Sequence, residues 1–187
     1  MKLKYRATLQ RLVIVLLLTL AEVGHAQVLK YDNDTQLLAA AAVSPDGTRQ
    51  IITRLTDTCS SYSPSLRDSG ERELKSWNER HRTYLEESIQ IRKQVESQYE
   101  GPSASPQTRQ AFKHMLDVAV PQLINNQYQA IFSVVDSMPS LQGKISICNS
   151  YIQAIGDKKF DLKTNDPTLS EFFDKRIKAK RDRTSNN

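Results

Sequence analysis

The chain has 187 residues, 39% of them hydrophobic and 25% charged, with 26 Lys and Arg against 21 Asp and Glu. That length is enough for one well-formed core. Only 6 Gly, 7 Pro and 2 Cys exclude a collagen-like or low-complexity chain, a disulfide-dense miniprotein and a four-cysteine zinc module. Beyond residue 30 no apolar run reaches the roughly 18 residues of a membrane-spanning helix.

Lys2, Lys4, Arg6 and Arg11 form a basic start, followed by an apolar stretch from Leu12 to Ala21 and a small-residue exit at Gly24-His25-Ala26. The pattern predicts a secretory signal peptide over residues 1–26, cut between Ala26 and Gln27, and a periplasmic or secreted mature chain. No cysteine follows the apolar stretch, so no lipid anchor is expected on the new N-terminus. The mature chain keeps 22 basic and 20 acidic residues, and the surplus is uneven. Residues 174–183 carry a net +4, leaving the rest of the mature chain near −2. The broad basic face of a nucleic-acid-binding domain is missing, and no nucleic-acid partner is expected.

Cys59 and Cys148 are the only thiols, so one intramolecular pairing exists. In an oxidising compartment they are expected to form a structural bridge. A short basic leader, an alanine exit and one long-range disulfide together resemble small exported proteins of Gram-negative bacteria. Asn33-Asp34-Thr35 is a formal N-glycosylation sequon, relevant only in a eukaryotic source.

The mature chain reads as helix throughout. Residues 27–34 are expected to form an extended lead-in and Thr35–Val43 a short helix stopped by the turn cluster Ser44-Pro45-Asp46-Gly47. Ile51, Ile52, Leu55, Cys59 and Tyr62 then recur at helical steps until Pro64. From about Leu66 to Tyr99 runs the longest periodic segment, with Trp77, His81, Tyr84, Ile91 and Val95 on one stripe and charges on the others. Gly101 to Pro106 reads as an inter-helix connection. Further helical faces follow at Ala111–Leu123, interrupted by Pro121, at Tyr128–Met138, and at Leu141–Ile155 with Gly156 as C-cap. Asp166 before Pro167 marks a last helix start, with Leu169, Phe172, Phe173 and Ile177 facing inward.

The expected fold is therefore an all-α, disulfide-stapled bundle of about five or six helices. It comprises a single helical domain over residues 27–177 and a basic, flexible tail over 178–187. The bridge should bring the helix around Ile51–Tyr62 beside the helix around Leu141–Ile155, with Cα atoms about 5–6 Å apart. Cys59-Ser60-Ser61-Tyr62 and Cys148-Asn149-Ser150-Tyr151 echo one another, but their flanks do not align, which favours matched packing beside one bridge over duplication.

Catalytic signatures are scarce. The sequence holds no nucleophile elbow, Walker loop, dinucleotide fingerprint or H-E-x-x-H. His81 shares a stripe with Trp77 and Tyr84 and reads as a packing residue. His114 stands three residues before Asp117 without enough companions for a metal site, and no metal or cofactor is expected. Glu86, Glu87 and the other carboxylates of the long helix read as solvated charges. Lys175, Arg176, Lys178, Lys180, Arg181 and Arg183 form the one concentrated charge, candidates for contact with an anionic partner.

The favoured expectation is a non-enzymatic binding or accessory protein, a monomer, acting on an envelope protein partner, with an inhibitor- or immunity-type role as one form of it. A small envelope hydrolase using carboxylates with His81 or His114 is the second reading. An anionic lipid- or polymer-binding module working through the basic tail is the third.

Overall fold

A computed structural model describes residues 31–102 and 104–185. The leader proposed for residues 1–26, and the first half of the lead-in after it, lie outside them. The described residues form an all-α bundle. Helix α1 (Asp34–Ser60) turns at residues 61–63 into α2 (Pro64–Glu100). Helix α3 (Pro106–His114) runs through a π-helical turn (Met115–Ala119) into α4 (Val120–Asp136). Then come α5 (Leu141–Gly156), the single turn α6 (Leu162–Asn165) and α7 (Pro167–Ser185).

The helix starts follow from capping chemistry. The side chains of Asn33, Ser63, Ser105 and Ser140 accept the otherwise orphaned N–H groups of Gln36, Leu66, Thr108 and Gly143. Asp166 does the same for α7, its Oδ1 taking the Leu169 N–H at 3.0 Å, as its position before Pro167 predicts. The other oxygen of Asp166 accepts the Tyr31 hydroxyl, tying the entry of α1 to the start of α7.

Two local expectations are corrected. Ser44-Pro45-Asp46-Gly47 does not end a helix, because α1 runs straight through it. Pro45 has no N–H for the carbonyl one turn back. Burial outweighs that loss: Ala41, Ala42, Pro45 and Gly47 all lie on the covered face. Asp46 reinforces the turn by accepting from Arg49 and from Gln50 at 2.8 Å. Gly47 also makes room for α4, since a Cβ there would lie 3.3 Å from Ile124 Cγ1. At the far end of α5, Gly156 is the last helical residue, and Lys158 takes the left-handed conformation at φ 63°. The N–H groups of Lys158 and Lys159 close back on the carbonyls of Ile155 and Ala154 in a Schellman-type stop. A Cβ on Gly156 would sit 3.0 Å from Glu73 Oε2, the movable end of that side chain.

Pro121 accounts for the π turn. Its ring clashes with the carbonyl four residues back and it offers no N–H, so the chain widens by one residue and continues helical. The α3–α4 rod continues helical through Pro121.

Helices α1 and α2 are antiparallel and form the spine. Ile52 meets Trp77, and Thr56 faces Gly70 closely enough that a Cβ on the glycine would lie 3.4 Å away. Against the spine lie α4 on α1, α5 along the first half of α2, and α7 along its second half. Cys59 and Cys148 are bonded, with Cα atoms 5.6 Å apart, joining α1 to α5 as the sequence predicts. Tyr62 and Tyr151 of the two echoed segments both pack on the cluster around that bridge. Leu169 and Phe173 of α7 enter a second cluster with Ala41, Tyr84 and Ile91.

Candidate functional site: the groove between the first two helices

A long antiparallel pair need not be covered on every side, and here one side is open. A groove of about 1030 Å³ runs between α1 and α2, and neither α5 nor α7 contributes to its lining. Its floor is Leu74, Leu85 and Ile89 of α2, the first two backed by Ile52, Trp77 and Ile155. Ile89 remains 51% exposed. Basic groups (Arg49, Arg54, Lys75, Arg82) and acidic ones (Glu71, Glu79, Glu86) share the rim. Arg54 is fixed in place: its guanidinium carbon sits 3.9 Å over the Tyr128 ring, and Nη2 donates to Asn125 at 3.2 Å. Residues 74, 78, 82, 85 and 89 step by four and three, so one straight face of α2 lies along the groove for about 22 Å at helical rise.

On the covered side of α2 lies a chain of polar contacts that the sequence does not announce. Arg80 grips Asp161 with Nε and Nη2 at 3.0 and 2.9 Å, and Nη2 also donates to the Ile155 carbonyl at 3.0 Å. Trp77 Nε1 donates to the Phe160 carbonyl at 3.2 Å. His81 is 3% exposed and stacked on Trp77 at 4.0 Å. Its Nε2 accepts the Leu162 N–H at 3.1 Å, which leaves Nδ1 to carry the proton toward the Trp77 carbonyl at 2.9 Å. Burial pulls its pKa below the ordinary value, and Arg80 adds to that, against the opposing pull of the Trp77 carbonyl and Asp161. Both ring nitrogens are thus occupied by backbone groups, and His81 has no free position for proton transfer.

Glu87 is the other correction. It is 5% exposed, not a solvated charge, and accepts from Arg176 Nε at 2.9 Å and from Lys180 Nζ. Burial pushes its pKa up, but the hydrogen bonds from Lys180 and Arg176 outweigh that and hold the carboxyl below its ordinary range. One turn away, the Tyr84 hydroxyl donates to Asp174 at 2.7 Å, and burial followed by this carboxylate raises the phenol's pKa.

The remaining sequence candidates are dispersed. His114 is exposed at the end of α3, and Asp117 is exposed in the π turn. Among the described residues no group of three or more His, Cys, Asp or Glu could hold a metal ion. Of the basic cluster, Arg176 and Lys180 turn onto Glu87, and Lys175 pairs with Glu171 at 2.7 Å. Lys178, Arg181 and Arg183 are exposed on α7, which stays helical to Ser185. The boundary drawn at residue 178 therefore falls inside a helix. Among the described residues no helix is long and apolar enough to cross a membrane. Comparison with protein-family models, with curated proteins and with solved structures gives no match.

Proposed function

We propose that this chain is an exported, non-enzymatic helical binding or accessory protein whose partner is a protein of the cell envelope, an inhibitor- or immunity-type role being one form of it. The observation that carries the proposal is the groove between α1 and α2. A floor of Leu74, Leu85 and Ile89, crossed by Asn78 and Arg82, under a rim of both charge signs suits an amphipathic helix laid along it. Its apolar stripe would cover Ile89 and Leu85, and its flanking charges would meet the rim. A buried disulfide supports an oxidising compartment, and the basic start and alanine exit of the first 26 residues support export.

The test is affinity capture from an envelope extract with the mature, oxidised protein as bait, repeated with Ile89→Asp. One protein recovered in near-equal amount with the native bait, and lost with the variant, is the expected result. Binding of the purified partner should then fall at least tenfold with Ile89→Asp. A partner that binds the variant with undiminished affinity would remove the groove as the site.

A further inference from the structure

In a chain where a quarter of the residues are charged, no Lys, Arg, Asp or Glu falls between Asp117 and Asp136. This stretch is the π turn with α4, and only Ile124, Tyr128 and Val135 of α4 are buried. The outer face is exposed and carries large apolar side chains: Leu123 is 57% exposed, Val134 42% and Val118 38%. Between them stand exposed Gln127 and Ala130. The steps 123, 127, 130, 134 alternate four and three, the spacing of a coiled-coil seam. Val118 stands exposed on the π turn that leads into this helix.

We infer that this face is the contact surface of a homodimer, with a second copy of the chain packed antiparallel along α4. A partner surface rich in either charge would bury those charges here without counter-ions, which costs several kcal/mol per ion. A membrane surface would call for basic flanking residues, and the segment is bounded by Asp117 and Asp136. An apolar and amide surface complements itself, because a glutamine or asparagine both donates and accepts and can pair with its own copy. An isologous two-fold contact requires that self-match. The spacing supplies it: Leu123 and Val134 are equidistant from the midpoint between Tyr128 and Gln129, and so are Gln127 and Ala130. About that axis Leu123 of each copy packs on Val134 of the other, and small Ala130 leaves space for the partner's Gln127. The rod is short, about 25 Å from Val118 to Val134, so the dimer is small in area and concentration-dependent. This replaces the monomer expected from the sequence as the state to test, and it leaves the α1–α2 groove open in each copy.

Sedimentation equilibrium of the mature, oxidised chain over a wide concentration range tests it. The native protein should approach twice the monomer mass, Leu123→Glu and Val134→Lys should each stay monomeric, and the Leu123→Glu/Val134→Lys double variant should recover the dimer, since acid and base then face each other across the axis. Ile89→Asp, in the groove, should leave the mass unchanged. Circular dichroism confirms that each variant is folded, as substitutions at exposed positions should be. A native chain that is monomeric at millimolar concentration overturns the inference. So does a dimer that survives both single substitutions or is lost with Ile89→Asp, and a double variant that fails to recover overturns the antiparallel register.

Discussion

His81 is held neutral chiefly by its burial, with both ring nitrogens engaged by backbone groups. Its folded-state pKa lies below the ordinary 6.5, so as pH falls the unfolded chain takes up the proton before the folded one. Its stability contribution is therefore complete above about 6.5 and declines below that value. Protonation would also set two N–H groups facing each other where Leu162 now donates. His81→Phe keeps a ring on Trp77 but leaves the buried Leu162 N–H without an acceptor, a cost of about 1–3 kcal/mol. Thermal melts should show this loss at pH 7.5 together with a flatter dependence of Tm on pH between 6.5 and 5. An unchanged slope would place the titrating group elsewhere. Glu87 acts lower on the scale, since its folded-state pKa is depressed below the ordinary 4.5. Its contribution is present above that value and lost as pH falls through the folded-state pKa. Arg176 and Lys180 keep 31% and 50% of their side chains exposed and can swing to water, so Glu87→Gln should cost only about 1–2 kcal/mol. Faster hydrogen exchange confined to α7 would be its signature, and uniform loosening of the bundle would contradict a local latch.

At the scale of the element, the same dipeptide type meets opposite fates. Ser63-Pro64 and Ser105-Pro106 start helices with a capping oxygen and a proline in the first turn, whereas Ser44-Pro45 lies inside α1. Pro45→Ala restores the missing ladder bond at the expense of a less constrained unfolded chain. The balance should stabilise the protein by about 1–2 kcal/mol, read as a higher Tm. A lower Tm would mean that packing of the proline ring outweighs the lost bond. What distinguishes the two cases was legible in part. Ala42, Pro45, Ile52, Leu55 and Cys59 keep helical spacing through the turn cluster, a stripe that emerges once small residues are counted with the apolar ones. The ends of α2, the start of α7, the interruption at Pro121 and the pairing of Cys59 with Cys148 follow from local chemistry or from having no alternative, whereas the expected end of α7, at residue 178, falls too early. Glu87 could not be read that way. Its cations lie 89 and 93 positions away, and a carboxylate on a charged helix carries no mark of which neighbour will cover it. The groove was equally hidden, because Leu74 and Leu85 look like core until the partner helices are seen to leave that side of α2 bare.

For the whole molecule the decisive constraint is the bridge. The span from Cys59 to Cys148 contains α2, α3 and α4, 89 residues of sequence separation closed by one bond between fully buried sulfurs. Closing a loop of that length removes enough unfolded-state freedom to be worth about 4–5 kcal/mol in the chain-entropy model. That is a large fraction of the roughly 5–15 kcal/mol of a typical domain. The Cys59→Ala/Cys148→Ala protein should therefore unfold at a much lower urea concentration, with a larger m-value because the unbridged unfolded chain exposes more surface, and its native state should be only marginally populated at 37 °C. The loss should also be uneven. Helix α5 is fastened by the bridge, by Ile152 and Ile155, and by the Arg80 contact to the Ile155 carbonyl, whereas α1 and α2 remain zipped along their whole shared length. Hydrogen exchange in the bridge-free protein should accelerate first in α5 and last in the α1–α2 spine, so that the groove outlives the helix behind it. A bridge-free protein that matches the native urea midpoint would show that the bundle is held by its core alone, and exchange that rises first in the spine would make α1 and α2, not α5, the part the bridge secures.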